Sequence, residues 1–456
     1  MKSPTIRPVL RAGVAAACTA ALLLATGQAG ASGPAARAGT ARASTQVEVE
    51  VPGPERGGDA GSGHVLVPSS GAAGARAGRG LTAAERAADG RVGALVENGP
   101  AADRLDVVVI GDGYTAGELD RFRADAQRKW AEIAAVEPYA TYRELFNVWT
   151  VDAVSAESGV SGDPDPATVR DTALGSYFWC ADIERLLCVD QEKVDAYAAK
   201  APEADLVLVL ANSAKYGGAG YNEPSDTLGY AGISTASAGH PKSGQVAVHE
   251  TGHSLGKLAD EYFYTGVPEY AQYTGREPAD LNSSTLTADR MARQRAKWHR
   301  WLGEESPDGG TVGAYEGGGY YVTGLHRPTP DSAMRSLGKP FNLPGVEAMI
   351  AGFYQHARIA TPLTPTGTPL RGGDTARVAV PRLAGADGRQ PVVRWYLDGW
   401  ELWWLRGRTE ARVGHLWTAD RGLHRLSVTA EDRTPSVRDP HISRTLRSTV
   451  TWEIRP

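Results

Sequence analysis

His249-Glu250-Thr251-Gly252-His253 reads H-E-x-x-H within a stretch of helical character. Two imidazoles at i and i+4 fall on one helix face, with Cβ atoms about 5–6 Å apart. That spacing lets both rings close on one zinc ion, at roughly 2.0–2.1 Å per Zn–N bond. Glu250 is turned about 100° around the axis, so it stands beside the metal, where a general base is wanted. Ser243 and Gly244 supply a helix start, and Gly256 offers a left-handed stop. Zinc hydrolases commonly use three protein ligands and keep the fourth position for water. A turn at Gly256 brings Asp260 and Glu261 under the metal as candidates for the third ligand. Asp260 is favoured, with Glu261 the alternative, because adjacent residues rarely point the same way. In this chemistry Glu250 takes a proton from the attacking water and passes it to the leaving amine. A tyrosine could stabilise the oxyanion, and Tyr262, Tyr320 and Tyr321 are the candidates.

The segment His249 to Tyr262 resembles the active-site segment of the M64 metallopeptidases, a family named for an immunoglobulin A-cleaving endopeptidase and related in pattern to the metzincins. Leu105 to Thr115 resembles the strand and turn that open the family's catalytic domain. Asn212-Ser213 with Tyr216-Gly217-Gly218 resembles its middle, and Arg327-Pro328 with Ser332 to Ser336 its end. The likeness runs from about Asn98 to His356. It implies a metzincin-like zinc peptidase fold with one catalytic Zn2+, and it makes Met334 the Met-turn residue, an apolar floor below the ligands. Strict metzincins place a third His where this chain has Ala259.

Several elements must position these groups. Leu105 to Ile110 is an apolar run consistent with a buried strand. Thr115 and Glu118 have capping-box spacing, and Leu119, Phe122, Ala126, Trp130 and Ile133 then form the apolar stripe of a helix that Pro138 ends. Phe146 to Val154, Asp205 to Leu210 and Leu228 to Ser234 read as further strands, the last as an edge to which an extended peptide could add. Alternating strands and helices predict an α/β catalytic domain. Gly111-Asp112-Gly113 lacks the Gly-Lys-Ser/Thr of a phosphate loop and reads as a tight turn.

The predicted organisation is a signal peptide over 1–31, a leader, propeptide or small β region over 32–97, a catalytic domain over 98–360, a linker over 361–369 and an immunoglobulin-like β-sandwich over 370–456. Lys2, Arg7 and Arg11 precede the apolar run Val14–Ala25, and Ala29-Gly30-Ala31 supplies a cleavage site, so export is expected, with no membrane anchor after cleavage. Within the leader, Val47 to Val51 and His64 to Pro68 could be short strands. Of three cysteines, Cys18 leaves with the signal, and Cys180 and Cys188 are expected to form a disulfide. Near the C-terminus, Asp398-Gly399 between apolar runs marks a hairpin. Trp395, Tyr396, Trp400, Trp403 and Trp404 there could pack as core or bind a glycan or a protein. The net charge of −5 gives no basic excess for nucleic acid. The functional expectation is a secreted zinc endopeptidase acting on a protein or peptide. The alternatives are an exported adhesin with a vestigial metal site and a zinc amidase acting on cell-wall peptides.

Overall fold

The computed structural model describes residues 46–53, 63–70, 80–385, 387–416, 418, 420 and 422–455. The expected signal peptide and the leader up to residue 45 lie outside these residues. The described chain begins with β1 (Gln46–Val51) and β2 (Gly63–Pro68), paired antiparallel, where short strands are expected. A short helix α1 (Ala83–Ala88) and strand β3 (Val92–Val96) follow. Then come β4 (Leu105–Asp112), α2 (Leu119–Ala134), the single turn α3 (Tyr139–Tyr142), β5 (Phe146–Val151), α4 (Gln191–Ala198), β6 (Leu206–Ala211), β7 (Gly218–Tyr221), β8 (Ile233–Ser237) and α5 (Ser243–Ser254). These strands make one eight-stranded sheet in the order β2-β1-β7-β8-β6-β4-β5-β3. Its centre, β8-β6-β4-β5, is parallel, and its flanking strands are antiparallel.

The apolar run at β4 is buried along its whole length, as a parallel strand covered on both faces must be. Alternate residues face opposite layers. Leu105, Val107 and Val109 pack with the buried stripe Phe122, Ala126, Trp130 and Ile133 of α2 and with Ala247 and Val248 of α5. Val108 and Ile110 pack on the other side with Val194 and Ala198 of α4 and with Cys180 and Cys188. Those two cysteines form a disulfide, S–S 2.06 Å. Burying each large residue of the α2 stripe contributes about 1.5–3 kcal/mol. The capping box of Thr115 and Glu118 is present, closing a 3-10 turn that leads into α2. Gly113 follows β4 at φ +75°, and the Asp112 carboxylate accepts from the backbone of Leu174 and Ser176 and from the Thr172 hydroxyl.

Two expectations are corrected. The segment read as an edge strand over Leu228–Ser234 begins its strand only at Ile233, because Gly229 turns at φ +79°. That strand, β8, lies inside the sheet between β7 and β6, so the position flanking the metal helix belongs to β7 and its neighbour β1. Gly256 is not the left-handed residue after α5; Lys257 is, at φ +49°. Glycine is needed at 256 for space, since a Cβ there would lie 2.7 Å from both the Gly252 carbonyl oxygen and Met349 Sδ.

The chain continues through α6 (Ala288–Gln294), the hairpin β9 (Tyr315–Gly318) and β10 (Tyr321–Arg327), and α7 (Leu343–His356). Beyond α7, short strands form a three-stranded and a five-stranded sheet. Thr361-Pro362, within the segment expected as a linker, pairs with Val378 and Ala379. Trp395 and Trp452 stack at 5.7 Å inside this β region, both fully buried, whereas Trp400, Trp403 and Trp404 are exposed. Buried polar links tie the region to the rest. Tyr142 and Tyr354 donate to Asp432, and the Glu347 carboxylate accepts from the backbone of Arg438 and Asp439. Among the described residues no helix is long and apolar enough to cross a membrane.

Candidate metal centre

Helix α5 carries His249, Glu250 and His253, all buried, between the sheet and α2. Ser243 is its first residue, and no side chain caps it, so the helix is held by packing rather than by a cap. Close packing also explains Gly252. A Cβ there would lie 2.4 Å from Met334 Sδ, so the Met334 side chain packs directly against the helix at this residue.

Each imidazole is oriented by its outer nitrogen. His249 Nδ1 lies 2.9 Å from the Ala333 carbonyl, and His253 Nδ1 lies 2.6 Å from the Leu258 carbonyl. A carbonyl can only accept, so both Nδ1 atoms carry hydrogen. The two Nε2 atoms therefore turn inward, 3.3 Å apart. This backing by carbonyls is the arrangement that fixes tautomer and ring angle in metal-ligating histidines.

The chain then returns as expected, through the turn at Lys257. The Asn282 amide brackets Ala259, accepting from its N–H and donating to its carbonyl, both at 2.8 Å. That clamp presents Asp260, whose Oδ1 lies 3.3 Å from His249 Nε2 and 3.5 Å from His253 Nε2. Glu261 points elsewhere. Its carboxylate accepts from Asn282, Ser332 and Asn342 at 2.9, 2.7 and 2.8 Å, a buried network that holds the loop. The geometry thus brings Asp260, rather than Glu261, to the histidines.

A fourth group, unforeseen from the sequence, completes the cluster. Glu50 of β1 is fully buried, with Oε1 3.0 Å from His249 Nε2 and Oε2 2.8 Å from His253 Nε2. It also accepts from Asn222 Nδ2 at 3.0 Å and from the Tyr262 hydroxyl at 3.4 Å. One ligand atom from each of Glu50, His249, His253 and Asp260 fits within a mutual distance of 4.8 Å.

Of the three tyrosines, two reach the site. Tyr320 sits at the β9–β10 turn and donates to Asp260 Oδ2 at 2.5 Å. Tyr262 stacks over the His249 ring at 6.5 Å. Tyr321 instead packs edge-on against Tyr270 and Tyr273, outside the cluster. Burial, together with the charge on Asp260, holds both Tyr262 and Tyr320 well above the ordinary phenol range, so both remain donors.

The imidazoles and the Asp260 carboxylate shift one another's proton affinities in opposite directions, and Glu250 shifts upward with the imidazoles. Burial alone would push both imidazoles down, but Glu50 and Asp260 carry them well above the ordinary range. Asp260 is held well below its ordinary value, burial being outweighed by the two imidazoles. Glu250 is pushed well above, by burial and by the negative charge of Glu50. Ligation needs both Nε2 atoms free of protons, so loading an ion releases protons.

The residues fit a metal. Asp260 Oδ1 and both oxygens of Glu250 are buried without a well-directed hydrogen-bond partner, a costly state for carboxylates unless something else engages them. Two inward imidazole nitrogens with carboxylate oxygens form a donor set suited to zinc. Among the described residues His240, His299, His326 and His356 lie outside this cluster. His356 Nδ1 contacts Asp205 at 2.7 Å, a structural role.

No curated protein matches the chain. Among solved structures it is similar to the crystal structure of metalloproteinase-II from Bacteroides fragilis, at 16% identity and a TM-score of 0.20. That alignment covers 35% of this chain and 44% of the other. The family model for the IgA Peptidase M64 family matches residues 94–310 and 304–353, over half of the sequence and including the whole of α5 and its following turn. By that match, and with a buried His–His–carboxylate cluster at its heart, the chain belongs to the IgA Peptidase M64 family of metallopeptidases.

Proposed function

We propose that the protein is a secreted zinc-dependent endopeptidase. His249, His253 and Asp260 would hold the ion, and Glu250 would serve as general base. The observation that carries this reading is the inward convergence of both Nε2 atoms on Asp260 Oδ1, beside a buried Glu250 carboxylate with no hydrogen-bond partner. Zinc in such a site supplies Lewis-acid polarisation of a peptide carbonyl and a bound water of lowered pKa. Glu250 accepts the proton of the attacking water and returns it to the departing amine. Tyr320 and Tyr262, whose hydroxyls donate to Asp260 and Glu50, are the donors we assign to a developing oxyanion. Ala333 and Leu258 keep the imidazoles in the required tautomer throughout.

Export rests on the basic and apolar composition of residues 1–31, and the disulfide suits an oxidising compartment. The β region after α7 is read as an immunoglobulin-like sandwich. Its exposed Trp400, Trp403 and Trp404 are the feature favouring a second role, binding of a glycan or protein surface. A purely adhesive protein would not need an intact His–Glu–His set over an oriented second layer. A cell-wall amidase would use the same centre, and cleavage of peptidoglycan but not of casein would select it. For the endopeptidase, Glu250→Ala is expected to retain stoichiometric zinc and lose casein cleavage. Undiminished cleavage with zinc bound would remove Glu250 from the mechanism.

A further inference from the structure

We infer that the β1–β2 hairpin keeps this enzyme latent, with the Glu50 carboxylate serving as the fourth ligand in place of the catalytic water. The inference rests on the zinc-peptidase reading above. Glu50 is as well placed for the ion as Asp260. Both of its oxygens reach an Nε2 atom, at 3.0 and 2.8 Å, and its side chain is fully buried. A catalytic zinc site keeps one position open, whereas four protein ligands close it. With Glu50 in place the set is closed.

The hairpin also engages both tyrosines proposed to serve the oxyanion. Glu50 accepts from Tyr262, and His64 of β2 lies 2.8 Å from the Tyr320 hydroxyl through its Nδ1. Asn222, which follows β7, also donates to Glu50. β1 also occupies the flank of β7, the strand beside the metal helix, where an extended substrate could add by backbone hydrogen bonds. Substrate and hairpin therefore compete for one place.

The way β1 is held suits a removable element. Val49 and Val51 are buried, but the strand pairs with β7 only where Glu50 faces Gly220. Further anchors follow the two strands: Arg185 Nε donates to the Pro52 carbonyl at 2.7 Å, the Tyr216 hydroxyl to the Gly53 carbonyl at 2.5 Å, and the Gln191 N–H to the Ser69 carbonyl at 2.9 Å. The family match begins at residue 94, after the hairpin, so the hairpin is not part of the matched region.

The test uses the full chain loaded with Co2+ in place of zinc. Visible absorption is followed while acetohydroxamate, a small metal chelator, is titrated, and turnover of a short peptide is measured in parallel. A tethered ligand has an effective concentration in the millimolar range, and apparent affinity falls with the fraction of open sites. Glu50→Ala should therefore bind acetohydroxamate at least about tenfold more tightly than the unsubstituted chain, with a matching rise in turnover. Glu50→Gln should behave in the same direction. Val51→Asp, which expels β1 while leaving Glu50 in the chain, should reproduce the effect. Cobalt bound normally, with acetohydroxamate affinity and turnover unchanged in both Glu50→Ala and Val51→Asp, overturns the latency but leaves the peptidase reading standing. A Glu50→Ala chain that loses the metal and gains no turnover makes Glu50 a permanent structural ligand and also overturns it. Failure of the unsubstituted chain to bind any metal removes the peptidase reading itself.

Discussion

Gly220 lies against the general base, and its replacement by alanine gives a sharp test of how Glu250 is positioned. A Cβ at residue 220 would stand 1.8 Å from Glu250 Oε2 and 2.8 Å from its Cδ, where 3.0 Å is the floor for real contacts. The carboxylate must therefore retreat by at least 3.0 − 1.8 = 1.2 Å. Displacement of a reacting group by about 1 Å costs on the order of 10²-fold in rate, or about 2.7 kcal/mol of barrier. The backbone at 220 is not in the left-handed region, so alanine itself adds no strain there. The smaller entropy of the unfolded chain offsets part of any packing loss, by about 0.4–1 kcal/mol. Gly220→Ala should then show a kcat lower by roughly 100-fold, with zinc content and thermal midpoint close to those of the unsubstituted chain. The assay is steady-state cleavage of a fluorogenic peptide, with metal analysis and calorimetry on the same preparations, both proteins being carried in the Glu50→Ala background. An undiminished kcat would refute the placement of Glu250 as the base that must sit at this spot.

Two further contrasts follow from the same geometry. In the Glu50→Ala background, Asp260→Ala should abolish tight zinc binding. Glu261→Ala should keep the ion but lower stability by about 3 kcal/mol or more, because it strands the donors on Asn282, Ser332 and Asn342; metal analysis and denaturant unfolding separate the two. Tyr320→Phe should lower kcat by about 10²-fold if its hydroxyl serves the oxyanion, whereas Tyr321→Phe, packed among tyrosines, should leave kcat within about twofold in the same peptide assay.

Much of the centre is legible in the sequence because it is local. His249, Glu250 and His253 share one helix, and Asp260 follows after one turn, so spacing alone places them together. The central strand and the α2 stripe are legible for the same reason, since burial imposes periods of two and three to four on apolar residues. Glu50 is different. It precedes His249 by 199 residues, in a stretch read as a leader or small β region. The alternation Val47-Glu48-Val49-Glu50-Val51 does signal a strand with one apolar face. Nothing in that pattern says that the acidic face meets imidazoles instead of water. β7 is equally silent. Its sequence Gly-Ala-Gly-Tyr has weak strand propensity, because Gly218 and Gly220 are kept small by Val246 and Glu250 of the metal helix. The glycine after α5 signals a left-handed stop, but the left-handed angle falls one residue later, and the glycine is demanded by the Gly252 carbonyl and Met349. The exposed Trp400, Trp403 and Trp404 and the buried Trp395 share one composition, and only the fold sorts surface from core.

Zinc-edge anomalous diffraction from crystals of the full chain reads the metal centre itself. One peak is expected, bonded at about 2.0–2.2 Å to the Nε2 atoms of His249 and His253 and to a carboxylate oxygen of Asp260. Crystals grown with ample zinc that show no peak there, with the two imidazoles and Asp260 bonded only to one another, would contradict the zinc-peptidase reading.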